Sequence, residues 1–388
     1  MSPWPTSSLG EVCTFLNGGT PSRSVETYWN GTIPWITGAD IDGPVVVTAR
    51  SAITPDGLRS SATNLVTAGT LLLVTRTSVG KVASAGIDLC FSQDITAVIP
   101  EPSALDPGYL RHFLASCADV LKRSARGATI KGVTRADVSG LKIPLPPLAE
   151  QRRIAGILDA ADGLRAKRRE SINLLDSLTQ SIFLDRFGDP MRNPKGLPTA
   201  PLNTLVRRIT DGTHQSPEWS ETGVPFLFVS NIASGRISYE TEKYISEQTH
   251  ATLTRRCPIE LGDVLYSTVG TYGVPVVVVD PRPFAFQRHI AHIKPDPSRI
   301  DPHFLKVMLA SPGVKAQADS QARGVAQKTV NLGSIQEFVV FDLPLAEQLS
   351  ASEIFSAIER ERERQVASLF ALELLFASLQ SRAFHGDL

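Results

Sequence analysis

Two stretches of the chain carry apolar residues at helical spacing, each for about 40 positions without an internal proline. In the first, Ile154, Ile157, Leu158, Ala161, Leu164, Ile172, Leu175, Leu178 and Ile182 form the stripe; in the second, Ile354, Phe355, Ile358, Val366, Leu369, Leu372, Leu375, Phe376 and Leu379 do. Pro147 and Pro344 stand where a helix can begin, and Glu150 and Glu347 fall in the first turn, where the helix dipole favours a carboxylate. At 1.5 Å per residue such a helix is ~60 Å long, and an amphipathic helix of that length normally pairs with another. "RAKRR" (Arg165–Arg169) lies near the middle of the first stretch and "ERERER" (Glu359–Arg364) near the middle of the second. Middles meet if the helices run antiparallel, so the two charge clusters are expected to cross-pair.

Elsewhere the pattern changes. "PVVVT", "GTLLLVT" and "GVPVVVVD" are short, β-branched or apolar runs bounded by Gly or Pro, and they predict strands. Asp106-Pro107 and Asp301-Pro302 each place an N-cap carboxylate before a proline at the first helical position. After them Tyr109, Leu110, Phe113, Leu114 and Cys117, and then Phe304, Leu305, Met308 and Leu309, fall at helical spacing.

These elements occur twice. "LPPLAEQRRIAGIL" from Leu145 returns as "LPLAEQLSASEIF" from Leu343, and "IPWITGADI" (Ile33–Ile41) aligns with "VPFLFVSNI" (Val224–Ile232). "AGTLLLVTRTSVGKV" (Ala68–Val82) aligns with "LGDVLYSTVGTYGVP" (Leu261–Pro275). Phe91–Ser116 aligns without gaps on Phe286–Ser311, with 11 of 26 positions identical. The period of roughly 190 to 200 residues is far beyond any solenoid repeat and marks a duplicated unit. The expected fold class is α+β, with two tandem mixed domains separated by two long helices that form an antiparallel coiled coil, related by a pseudo-two-fold. The expected boundaries are 1–147 and 188–344 for the domains, and 148–187 and 345–388 for the helices.

With 388 residues, 42% hydrophobic and 20% charged, the chain has room for two or three cores. No run approaches the ~20 apolar residues of a membrane span. The start, "MSPWPTSSLGEV", lacks the charged and apolar regions of a secretory signal, so a cytoplasmic location is expected. Cys13, Cys90, Cys117 and Cys257 have no metal or disulfide spacing. The formal net charge of zero means that any polyanion partner must be held by local patches. One such patch is Arg111, Lys122, Arg123, Arg126, Lys131, Arg135 and Lys142, set against Asp119 and Asp137.

The ordered motifs resemble the specificity subunit of Type I restriction–modification systems. "NGGTPSRSVETYWNGTIPWITGADI" is similar to one opening of that family's target-recognition domains and "DGTHQSPEWSETGVPFLFVSNI" to another; each is followed by the Pro-Leu-Ala-Glu-Gln ending. The second ending lacks the basic pair Arg152-Arg153. The resemblance implies a DNA-recognition subunit that reads a bipartite, asymmetric double-stranded site, its helices acting as ruler and platform. It implies two methyltransferase (M) subunits carrying S-adenosylmethionine, and restriction (R) motor–nuclease subunits using ATP and Mg. Two other readings stay open: a specificity protein of another phage-defence system, and a two-domain protein scaffold that binds no DNA.

No catalytic constellation stands out. "RTSVGKVAS" lacks the glycine and Ser/Thr of a P-loop, and His289 and His292 are three apart on a predicted strand, on opposite faces. The chain is therefore expected to be no enzyme by itself, with no metal or cofactor of its own. DNA contacts are expected from loops on a β scaffold. In the first unit these are Thr20, Ser22 and Arg23; Arg76, Ser78 and Lys81; and Arg126, Thr129, Lys131 and Arg135. In the second they are Thr213, His214 and Gln215; Thr268, Thr271 and Tyr272; and Arg323, Gln327, Lys328 and Asn331. The partner-helix positions are Ile154, Ile157, Leu158, Ile172, Leu175, Ile354, Phe355, Ile358, Leu369 and Leu375.

Overall fold

The computed structural model describes residues 4–127, 131–324 and 328–388. The chain divides into two compact units, Met1–Arg168 with Ser368–Leu388, and Arg169–Ala367. Each unit holds one sheet-rich body and one half of each long helix, the first spanning Leu148–Phe187 and the second Leu345–His385.

In the first unit a five-stranded sheet runs in the order Cys13–Asn17, Ile95–Pro100, Leu71–Val74, Val82–Ala85 and Val45–Val46. A four-stranded sheet is built on Trp29–Ile36, and Thr6–Ser8 pairs antiparallel with Lys142–Pro144. The apolar run Leu71–Val74 is buried throughout because the sheet is covered on both faces. Successive strand side chains point to opposite faces. Leu71 and Leu73 accordingly enter one core with Tyr109, Leu110 and Leu114, while Leu72 and Val74 enter another with Ile36 and Phe91.

The second unit repeats the scheme. Its four-stranded sheet runs Val206–Asp211, Ile290–Pro295, Val264–Ser267, Pro275–Val277, and Thr199–Pro201 pairs with Val339–Phe341. Val264 and Tyr266 face Phe304 and Leu305, and Leu265 faces Val276 and Phe286. Both predicted N-caps form: Tyr109 N–H donates to Asp106 Oδ1 at 3.1 Å and Phe304 N–H donates to Asp301 Oδ1 at 2.9 Å.

The doubled Pro-Leu-Ala-Glu-Gln has a physical reason beyond starting a helix. Its glutamine is buried in both copies, Gln151 at 1% and Gln348 at 0% exposure. Gln151 Oε1 accepts from Asp106 N–H at 2.8 Å, and its Nε2 donates to the carbonyls of Ala104 and Pro146, both at 2.9 Å. Gln348 does the same with Asp301 N–H (2.9 Å) and the carbonyls of Arg299 (2.9 Å) and Leu343 (2.8 Å). One amide thus fastens the start of each long helix to the N-cap turn of the preceding short one. The arginines missing from the second copy are peripheral. Arg152 sits 3.6 Å from Asp106, while in the second copy the Ser352 hydroxyl donates to Asp301.

Within each unit the two helix halves run antiparallel. In the first, Arg165 Nε donates to Glu373 at 2.8 Å and Arg153 donates to the Leu388 carbonyl at 2.8 Å. In the second, Arg362 pairs with Asp176 and Arg186 donates to Ser350 at 3.1 Å. This register corrects the expected cross-pairing of "RAKRR" with "ERERER" for Arg165, Glu359 and Glu363. Arg165 bonds Glu373, about two and a half turns beyond Arg364, the last residue of the second cluster. Glu359 bonds Lys306 at 2.9 Å, and Glu363 lies 3.3 Å from Arg236, so both are turned to their own globular body.

The helical stripe is also narrower than expected. Ile154, Leu158, Ile172 and Phe355 are buried, and Ile157, Leu175, Ile358 and Leu369 are half-buried. Ile354 and Leu375, at 40% and 50% exposure, point to solvent. Consecutive helical residues are about 100° apart, so once Phe355 and Phe376 face inward, their preceding neighbours cannot. Ile154 and Leu158 pack with Leu105, Tyr109 and Ala383, so their burial is as much against the globular body as against the other helix. By length and composition alone, one 18-residue window of the second long helix is apolar enough to match a membrane span, against the expectation that no run comes near. Phe376 and Leu379 of this helix pack against the first unit's core.

His112 gives the first unit a pH response. It is buried beside Asp159, with Nε2 2.7 Å from the carboxylate, and Arg111 reaches the same oxygen. Burial holds the imidazole below its ordinary pKa of 6.5, with Asp159 opposing and Arg111 reinforcing. The unfolded chain therefore takes up a proton near pH 6.5 that the folded unit takes up only at lower pH, and stability falls as pH drops through that window. The thermal midpoint should fall between about pH 7.5 and 5.5 by more in the wild type than in His112→Gln. Equal slopes for the two would remove His112 from the account.

Candidate nucleic-acid interface

The candidate loops are not independent segments. In the first unit the turn Ser92–Asp94, between strands Leu89–Phe91 and Ile95–Pro100, gathers them. Gly19 N–H donates to the Phe91 carbonyl at 2.9 Å and Thr75 N–H donates to the Asp94 carbonyl at 2.8 Å. Val133 N–H donates to the Thr75 carbonyl at 2.9 Å, Thr77 N–H to the Lys131 carbonyl at 3.1 Å, and Arg126 and Gly132 bond each other in both directions. The loops holding Thr20, Arg76–Ser78, and Arg126 with Lys131–Arg135 therefore form one surface.

The second unit builds it again, bond for bond. Thr213 N–H donates to the Phe286 carbonyl (3.1 Å), Thr268 N–H to the His289 carbonyl (3.0 Å) and Val330 N–H to the Thr268 carbonyl (2.9 Å). Gly270 N–H donates to the Lys328 carbonyl (3.2 Å), and Arg323 and Thr329 bond each other in both directions. Thr77 and Gly270 both take left-handed backbone, with φ of 62° and 69°. The approach of the first loop needs glycine in both units. A Cβ on Gly18 would lie 2.0 Å from the Ser92 carbonyl oxygen, and one on Gly212 would lie 2.1 Å from that of Phe286.

On this surface Thr20, Ser22, Arg23, Arg76, Ser78, Arg126, Lys131 and Arg135 are exposed, as are Gln215, Thr271, Arg323 and Lys328. Several have local partners. The Thr20 hydroxyl donates to Gln93 Oε1, the Ser22 and Ser24 hydroxyls are 2.8 Å apart, and Arg23 lies over Trp29, 4.1 Å from the ring centre. Arg135 lies over Phe15 at 5.5 Å. The Thr213 hydroxyl donates to the Gln215 carbonyl at 2.9 Å, and His214 is held 2.9 Å from Asp211.

Four candidates are wholly or partly used by the fold. Thr268 is only 4% exposed, because both its backbone groups join the strand end to neighbouring loops. Lys81 Nζ donates to the Ile41 carbonyl at 2.8 Å, and Asn331 Oδ1 caps the helix Leu332–Gln336 by accepting from Ser334 N–H at 2.9 Å. The Tyr272 hydroxyl donates to Asp319 at 2.6 Å, with Lys315 Nζ 3.7 Å from its ring centre. Thr129 and Gln327 lie outside the described residues.

Two exposed residues at the centre of the surface were missed: Gln93 and Arg288. The alignment of Phe91–Ser116 with Phe286–Ser311 already paired them, but nothing local marks a turn residue as facing two other loops.

The two histidines expected on one strand do not share it: His289 lies in the turn before Ile290–Pro295 and only His292 is on the strand. His289 is half-exposed and accepts from Arg288 Nε at 3.4 Å, whereas His292 is buried, 2.6 Å from Asp263. Burial alone would raise the Asp263 pKa, but hydrogen bonds from His292, Lys294 and the Glu260 N–H outweigh it and hold the carboxyl below its usual range. This cluster is an internal brace of the second unit.

Residues 1–174 match the family model described as Type I restriction modification DNA specificity domain. The chain is 33% identical over 168 residues to the Type I restriction enzyme EcoR124I/EcoR124II specificity subunit of Escherichia coli, covering 42% of this chain and 41% of that one. It is 24% identical over 266 residues to the MjaIX specificity subunit of Methanocaldococcus jannaschii, covering 63% and 61%. The chain thus spans less than two thirds of the length of these relatives. The crystal structure of a Type I restriction–modification S subunit from M. genitalium superposes with a TM-score of 0.55 at 17% identity, covering 99% of this chain and 96% of that one, so the fold is shared. The chain is thus similar in sequence to Type I restriction–modification specificity subunits over its first unit, and over its whole length it shares the fold of a solved S subunit.

Proposed function

We propose that the chain is the DNA-recognition subunit of a Type I restriction–modification complex, each unit reading one half of a bipartite, asymmetric site. The observation that carries this reading is the loop surface built twice with the same cations, Arg126 and Lys131 in one unit and Arg323 and Lys328 in the other, all exposed. Cations whose backbone is paired to neighbouring loop residues suit phosphate contacts, which fix position, while the polar side chains beside them that differ between the units suit base edges. A two-domain scaffold for proteins has no need of matching cations in both units.

On this reading the chain is non-catalytic and works in the cytoplasm. It would position two methyltransferase subunits, which carry S-adenosylmethionine, and motor–nuclease subunits, which use ATP and Mg. The exposed flanks of the long helices, Leu164, Phe370 and Leu374 in the first unit and Leu174 and Leu178 in the second, are available to such partners.

A genome-wide map of methylated adenines, made with and without the gene, tests the proposal. A split motif that vanishes on deletion is the expected result. A methylation pattern indifferent to the gene would overturn the methyltransferase assignment.

A further inference from the structure

Two units that bind the same polymer but read different sequences must share what touches the backbone and differ in what touches the bases. The loop surface sorts itself this way. Arg126 and Lys131 have identical counterparts in Arg323 and Lys328, and the exposed position at the centre of the surface is Gln93 in one unit and Arg288 in the other. Their equivalence is fixed by the framework. In both units the residue sits on a turn joining two buried strands, with Ile95 N–H donating to the Ser92 carbonyl at 3.0 Å and Ile290 N–H to the Gln287 carbonyl at 3.1 Å. The carbonyls just before and after each turn, of Phe91 and Asp94 or of Phe286 and His289, hold the other two loops.

Both side chains are presented for use. Gln93 is exposed, its amide oriented by the Thr20 hydroxyl, which leaves a lone pair on Oε1 and both hydrogens of Nε2. Arg288 is exposed; its backbone N–H donates to the Thr213 carbonyl at 3.0 Å and its Nε donates to His289, so the two terminal nitrogens point from a held guanidinium. Glutamine pairs two-fold with the N6/N7 edge of adenine, and arginine with the O6/N7 edge of guanine.

We infer that Gln93 and Arg288 are corresponding base-reading residues, Gln93 selecting an adenine in the half-site of the first unit and Arg288 a guanine in that of the second. The inference rests on the proposed DNA-recognition role and adds which position in each unit carries specificity and for which base.

The test is selection from a randomised duplex library by the full-length chain in the complex purified from its host. The wild type should enrich a split motif with an adenine in one half and a guanine in the other. Gln93→Arg should change that adenine to guanine, by roughly tenfold in preference, and leave the other half-site untouched; Arg288→Gln should do the converse. Gln93→Ala, a truncation at an exposed site, should relax that one position and keep the rest of the motif.

A split motif that survives all three substitutions unchanged overturns the assignment while leaving the DNA-recognition role standing. So does a wild-type half-site lacking the expected purine. A wild-type complex that enriches no motif at all overturns the recognition role, and this inference with it.

Discussion

Gln151→Ala is expected to lower the stability of the first unit by about 3 to 5 kcal/mol, and Gln348→Ala to do the same to the second. Each substitution removes three hydrogen bonds, worth about 1 kcal/mol each, and leaves a buried N–H and two carbonyls without partners, at about 1 to 3 kcal/mol for each such group left dry. Both glutamines are buried, so water cannot easily replace the amide. Gln151→Glu should be no better, because a carboxylate cannot donate to the Ala104 and Pro146 carbonyls. Arg152→Ala, next door and largely exposed, should stay within about 0.5 kcal/mol of the wild type. Denaturant unfolding followed by circular dichroism measures all four. A Gln151→Ala midpoint equal to that of Arg152→Ala would mean that the amide clamp does not hold the helix start.

The second large effect concerns DNA. Arg126→Ala with Lys131→Ala, or Arg323→Ala with Lys328→Ala, should weaken binding to every sequence alike. If each cation neutralises one phosphate, either pair lowers the slope of log affinity against log salt by about 2, since each contact contributes about 0.9. Near physiological salt this is a loss of roughly tenfold or more per unit, and all four changes together should leave little binding. Anisotropy titrations of a labelled duplex at several salt concentrations give the slope directly. An affinity that drops with the slope unchanged would assign these residues to loop structure instead of phosphate contact. A loss confined to one sequence would make them base readers.

Much of this design is legible along the chain. The duplication, the Asp-Pro caps, the two long helices and the approximate loops all depend on order and local spacing, and local spacing decides local structure. The Leu71–Val74 run reads as a strand because four apolar residues lie between Thr70 and Thr75, and it stays one because the sheet is covered on both sides. Periodicity also finds the helical stripe, though it cannot tell Phe355 from Ile354 or Phe376 from Leu375. Both members of each pair are apolar, and only the packing partner chooses between them.

What the sequence alone determined is therefore the set of elements, their duplication and the kinds of side chain that their loops carry. Tertiary structure decided which of those side chains meet. Thr268 looks like any loop threonine until the strand end buries it, and Gln93 and Arg288 look like any turn residues until two other loops close on either side. The doubled glutamine looks like part of a helix start until a turn 45 residues away in one unit, and 47 in the other, supplies its partners. The physical reason is common to all three. Hydrogen-bond partners and burial are set by contacts between residues far apart in the chain, and a pattern read along the chain records the chemistry of each residue but not its distant neighbour.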